Sequence, residues 1–306
     1  MKNILFRSIL FCAGLTTTLC HPRGAKSPSL APRNQQYCPN PSVRVSWYTF
    51  TPQEKTAMQD AIMCLMNAPS KMKYPGAVTR YDDLVAIHQL QSDYPNGNDK
   101  LHVTARFLYW HRLYLLLFEL LLRVECGYTG KMAYWDEKVD AGNFRNSVAV
   151  KDFGGPGNEN GYVVDGRFGY TIVNMGPRSQ SVRRYLTRQI NETASAFASQ
   201  EHYDLLMSQQ DSAGFMKIMR LFLHMTAHGG LKGCMGDVQS SPVDPIFHLH
   251  HMYVDYLWFK WQNVDPARRT FDLREAGYES QRPPFTDVPM YAAADTQGGF
   301  LCYIYE

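Results

Sequence analysis

The sequence predicts one mainly α domain. Long apolar runs with helical spacing dominate from Cys38 onward, internal repeats are absent, and no composition break marks a second domain. With 45% hydrophobic and 19% charged residues among 306, the chain is too apolar for disorder and suits a packed core. The formal net charge of +3 falls to +1 once Lys2 and Arg7 of the leader are discounted. That leaves no bulk charge to drive nucleic-acid or membrane binding.

Residues 1–20 set Lys2 and Arg7 around a short apolar core, Ile9-Leu10-Phe11-Cys12-Ala13-Gly14-Leu15, followed by small residues, the pattern of a secretory signal peptide. The apolar stretch is far below the roughly 20 residues of a membrane span. Residues 21–37 read as a linker or pro-segment and 38–306 as the folded domain. Losing the leader reduces seven cysteines to five, which in an oxidising compartment means two disulfides and one free thiol. Cys234 is the expected odd one out among Cys38, Cys64, Cys126 and Cys302, and a bridge from Cys38 or Cys302 would staple a terminus to the core. Asn191-Glu192-Thr193 is an N-glycosylation sequon, in keeping with secretion.

Thr51-Pro52-Gln53-Glu54 combines a cap residue, Pro at the first helical position and Glu three residues on, and so starts a helix. Residues 81–90 form a second helix, ended by Tyr94-Pro95-Asn96-Gly97-Asn98. Residues 107–126 are apolar almost all round, as in a helix buried inside a larger protein, and Gly127 stops them. Residues 154–170 read as loop and 181–210 as shorter helices. Residues 214–228 and 245–262 are two more apolar helices, separated by glycine-rich 229–237, and a Pro- and Gly-rich tail follows from residue 276.

The ten histidines carry the chemistry. His224 and His228, four apart, project from one helix face toward a common point, and a buried imidazole pair with nothing to bind costs desolvation. His251 shares its face with Phe247, Val254, Asp255 and Trp258, so it points inward, with Asp255 one turn away as a hydrogen-bond acceptor for the ring. His250 and His248 lie on other faces and read as packing or rim contacts. His102 and His111, nine apart, cannot share a helix face, so His102 sits in the approach to the helix that buries His111. His88 precedes the Asn-Gly turn. The result is two sets of three imidazoles without interleaved carboxylate or thiolate, a donor set that suits copper or zinc.

Two long patterns give the chain a recognisable kinship. His102-x4-Phe107-Leu108-x-Trp110-His111-Arg112-x2-Leu115-x3-Glu119 and Asp244-Pro245-x-Phe247-x3-His251-x3-Asp255 resemble the two copper-binding signatures of the tyrosinase, catechol oxidase and hemocyanin (type-3 copper) family. The likeness runs from about Cys38 to Cys302 and is nearest to short secreted fungal tyrosinase-like proteins. It implies an antiparallel four-helix core holding two copper ions, the first on His88, His102 and His111 and the second on His224, His228 and His251. It also implies oxidation of a small phenolic substrate by dioxygen to a quinone, with Val238 as the gate over the first copper. A zinc-containing, non-redox member of the fold is the alternative, and an oxygen carrier a third reading.

The chain departs from the family pattern in several places. Met225 and Phe215 stand where monophenol-hydroxylating members carry Asn and Glu, which weakens deprotonation of a monophenol; Asp211 is the nearest acid. No cysteine lies two residues before His102, so a Cys-His thioether is absent. Glu137 stands where the family usually has Trp, and His248 where it usually has an apolar residue. Cysteines expected near Tyr162 and Val182 are missing. The expectation is a secreted oxidase with an unshielded site, tailoring a fungal secondary metabolite.

Overall fold

The computed structural model describes residues 38–92, 99–103, 106–272, 286–298 and 300–306. The expected leader and pro-segment, and the Tyr94–Asn98 turn, lie outside the described residues. Five helices or helical runs dominate: α1 (Pro52–Asn67), α2 (Arg80–Ser92), α3 (Arg106–Cys126), the pair α4 (Ser212–Ile218) and α5 (His224–Leu231), and α6 (Ile246–Val264).

α1 starts as its residues dictate: the Thr51 hydroxyl accepts the Glu54 N–H at 3.3 Å and the Glu54 carboxylate accepts the Thr51 N–H at 2.8 Å. α3 buries Phe107, Trp110, Tyr114, Phe118 and Leu122, and Gly127 ends it at φ +67°, a conformation glycine adopts without strain. α4 and α5 read as one apolar helix in the sequence, but a π-helical turn, Met219–Leu223, joins them immediately before His224. Such turns are rare and frequently mark functional sites.

α2, α3, α4–α5 and α6 form an antiparallel four-helix core. Leu84 meets Tyr114 through a 2.9 Å hydrogen bond while His88 faces Trp110, so numbering falls along α2 as it rises along α3. Likewise Phe118 packs on His248 and Tyr109 on Trp258, which sets α3 against α6. His224 meets His251 and His228 meets Phe247, which sets α5 against α6.

The strands are too short for sequence periodicity to flag. β1 (Ser42–Ser46) is central in a parallel sheet between β2 (Ala133–Tyr134) and β5 (Tyr303–Tyr305); β3 (Ile172–Val173) and β4 (Arg184–Tyr185) pair antiparallel. Thus 181–210 opens with a strand before its short helices Glu192–Ser195 and Gln200–Met207. Disulfide Cys64–Cys126 ties α1 to the end of α3, and Cys38–Cys302 joins the two ends of the described domain to each other. Cys234 is a buried free thiol.

A buried charge knot seats β1 and β5 on α3 and α6. Asp255 accepts Arg112 Nε at 2.6 Å on one oxygen, and the Tyr303 and Tyr305 hydroxyls at 2.6 Å and Arg44 at 3.3 Å on the other. Arg44 also reaches Glu119 at 2.8 Å. Burial alone would raise the Asp255 carboxyl, but Arg112, Arg44 and the two tyrosines hold it below its usual range. Asp255 therefore does not orient His251. Its oxygens are taken by two guanidiniums and two phenols, and neither His251 ring nitrogen has a hydrogen-bond partner among the described residues.

Candidate metal centre

Seven imidazoles converge in the helical core. In the first group His88 comes from α2, His111 from α3 and His102 from a four-residue helix, Lys100–Val103, ahead of α3. In the second, α5 supplies His224 and His228, and α6 supplies His250 and His251. Within each group one ring nitrogen per residue lies within 4.8 Å of the others. The groups adjoin: the His111 and His251 rings stack at 4.2 Å, and Phe107 and Phe247 each touch rings of both groups.

Hydrogen bonds at the outer nitrogens orient the rings. Nδ1 of His88 donates to the Gln239 carbonyl at 3.0 Å, His111 to Phe107 at 2.8 Å and His228 to Met235 at 2.6 Å. His102 and His250 instead meet carboxylates, Asp99 and Glu137, each at 2.5 Å. A donating Nδ1–H leaves Nε2 with a bare lone pair facing the cluster. Nε2 of His88, His111, His224, His250 and His251 is buried without a hydrogen-bond partner among the described residues.

Electrostatics keep these donors uncharged. Burial, reinforced by neighbouring imidazoles, pushes His88 and His228 down to about 3 and His111, His224 and His251 well below the usual range. Burial also takes His250 down to about 3. Glu137 moves the other way: burial, then Asp136 and Asp140, push its carboxyl well up. A cation in the cluster would reverse that direction. Inward-facing, uncharged, unpartnered nitrogens are costly in an empty core and are what two copper or zinc ions require, so the residues fit a dinuclear metal centre.

The six histidines named from spacing and resemblance are all in these groups. His250, read as packing or rim, is instead in the second group: it neighbours His251 in sequence, and α5 approaches α6 broadly enough that both rings meet His224 and His228. Glu137 in place of Trp was the available signal, a carboxylate able to hold an imidazole. His248 does pack, its ring flat on Phe118 at 3.8 Å and its Nδ1 3.2 Å from the Tyr81 hydroxyl. Asp99 was missed; an Asp three residues before His102, able to cap the short helix, was its signal.

The proposed gate, Val238, is half-exposed and precedes Gln239, whose carbonyl holds His88. Met225, directly after His224, is also half-exposed. Phe215 is buried against Trp261 at 4.8 Å, and Asp211 caps α4 through Gly214 N–H. Both groups consist of histidine alone among the described residues.

The family model for the common central domain of tyrosinase matches residues 78–264. Tyrosinase ustQ of Aspergillus flavus is 30% identical, with 88% of this chain and 80% of that protein covered. N-acetyl-6-hydroxytryptophan oxidase ivoB of Emericella nidulans is 31% identical over 73% of this chain and 75% of its own. Among solved structures, a polyphenol oxidase variant from Thermothelomyces thermophila superimposes with a TM-score of 0.78 at 25% identity, covering 87% of this chain and 88% of the other.

Proposed function

The chain belongs to the tyrosinase family, and on that premise we propose that it is a secreted copper oxidase that converts a small o-diphenol to a quinone with dioxygen. The single observation that carries this reading is the pair of adjoining, all-imidazole groups. His88, His102 and His111 would hold one copper, and His224, His228 and His251 the other. Bound there, copper supplies the redox chemistry, relaying two electrons from the diphenol toward dioxygen.

This chain's residues prepare the site. Nδ1 bonds to fixed carbonyls hold the His88, His111 and His228 rings with Nε2 inward, so each donor is preoriented. Phe107 and Phe247 wall the rings and exclude water. Val238 and Met225 are half-exposed side chains on the segments that carry the site; as the gate, a Val leaves room for an aromatic ring. With Phe215 and Met225 where hydroxylating relatives carry Glu and Asn, no side chain there holds a water to deprotonate a monophenol. The preferred substrate is therefore already a catechol or an equivalently activated hydroxylated aromatic. That the relative ivoB is named for oxidising a hydroxylated indole supports a tailoring step on a fungal metabolite. The two disulfides support folding in the secretory pathway, with residues 1–20 as its signal and 21–37 as a linker or pro-segment.

The copper-loaded protein is expected to consume oxygen and form quinone with catechols, far more slowly with monophenols. Absence of oxygen uptake with both classes rejects the oxidase. Zinc in the native protein at two ions per chain favours the non-redox alternative, which the all-imidazole donor set also accommodates.

A further inference from the structure

The gate segment has a cation beside it that neither histidine group uses. We propose that Arg178 selects substrates that carry a negative charge, a catechol with a carboxylate or similar anion on its side chain. The proposal rests on the oxidase reading and adds a substrate class to it.

Arg178 lies on the turn that follows β3, and that turn is pinned to the metal centre's surroundings from two sides. Its N–H donates to Asp237 Oδ2 at 2.5 Å, and Asp237 immediately precedes the gate residue Val238. Its carbonyl accepts Gln89 Nε2 at 2.6 Å, and Gln89 immediately follows His88. Earlier in the turn, Gly176 sits so close to Ser240 that a Cβ there would come within 2.2 Å of the serine Oγ. Residues 176–178 therefore run along 237–240. That segment exposes Val238 and holds the His88 ring through the Gln239 carbonyl.

The backbone makes arginine a costly choice for this turn. Arg178 has φ +53°, a left-handed conformation that glycine or asparagine adopts more readily than a longer side chain. Strain of this kind, held by bonds at both backbone groups, is commonly tied to function. The guanidinium is also uncommitted: the residue is exposed, and its side chain has no hydrogen bond or ion pair among the described residues. Asp237 spends one oxygen on the Arg178 N–H and the other on the N–H groups of Gln239 and Ser240. Asp99, beside the first histidine group, is taken by the His102 ring. Arg183, exposed just before β4, adds charge of the same sign as Arg178. An anion is drawn by such a charge over about 8–10 Å, and direct contact adds paired N–H···O bonds.

Dihydrocaffeate, a catechol with a carboxylate on a flexible tail, and its methyl ester differ in that charge and share the same ring. On the zinc-loaded full-length protein, calorimetry is expected to show the acid bound about 3- to 10-fold more tightly than the ester at low salt. The margin should shrink in about 0.5 M salt, which screens an exposed charge. With the copper-loaded enzyme the same margin should appear in KM, with similar kcat for the two compounds. Arg178→Asn, at ease in the left-handed region, is expected to bring the acid down to the ester in both measurements, and Arg178→Lys to keep most of the margin. Equal binding of acid and ester by the wild type overturns the proposal, as does a margin that survives in Arg178→Asn. Arg178→Gly suits the same backbone and gives the same reading should the asparagine variant not fold. Failure of the copper-loaded wild type to oxidise either compound rejects the oxidase reading, while the binding ratio on the zinc-loaded protein still decides whether Arg178 selects an anion.

Discussion

In the second histidine group every ring rides on α5 or α6, whereas in the first only His88 and His111 have long helices beneath them. His102 rides on four helical residues, is partly exposed, and is held by Asp99 through two backbone N–H bonds and its ring. The difference teaches that packing aims a donor where long helices cross, and a dedicated polar pin must aim it where the chain is short. Asp99 does for His102 by hydrogen bonding what a covalent thioether would do, and this chain has no cysteine in place to make one.

Four measurements sharpen or break that comparison. The largest effect is expected for His251→Ala, whose ring stacks on His111 where the groups meet. It should empty the second position and lower catechol oxidation by more than about 100-fold, beyond the 10–100-fold typical for a group outside the ligands. Metal analysis and oxygen uptake check both. Next, Asp255→Ala leaves Arg112 and Arg44 buried without their shared carboxylate and should cost about 3–5 kcal/mol in denaturant unfolding. A loss under about 1 kcal/mol would mean the helices alone hold the second group.

Third, Asp99→Asn should weaken metal at the first position by about 10–100-fold and spare the second. Equal weakening at both would break the contrast between pinned and packed donors. The smallest effect, ring by ring, is acid sensitivity of the metal-free protein. Unfolded imidazoles titrate near 6.5, whereas burial holds folded His88, His228 and His250 at about 3. The unfolded chain therefore binds more protons below 6.5, so stability falls as pH drops from about 6.5 toward 3. Between pH 7 and 6 the loss is about 0.7 kcal/mol per ring. Denaturant midpoints at the two pH values measure it, and ring-proton NMR titration assigns it to rings of each group.

Much of this was legible along the chain. The capping box at Thr51, the apolar run of α3 and its glycine stop are local signals, and the structure places each within a residue or so of its expected bounds. Histidine spacing and the two long motifs named six of the seven convergent imidazoles. The seventh was not legible from helical spacing, because His250 lies one residue and about 100° of helix rotation from His251; the lone hint was Glu137 in place of Trp. Helical periodicity tells which residues share a face; it is silent on how wide an opposing helix is or which carboxylate arrives from residue 137. Asp255 failed for the same reason. One turn from His251 it looked poised for the ring, but Arg112, Arg44 and two tyrosines from β5 reach it first.

The amino-acid order by itself determined the helices, the family and the kind of donor, since capping chemistry, apolar period and imidazole-only spacing are properties of neighbouring residues. Only the tertiary structure decided which donors meet and what holds them. The pins Asp99 and Glu137, the charge knot on Asp255 and the membership of His250 depend mainly on where distant segments cross, and close approach between segments is set by packing the whole core.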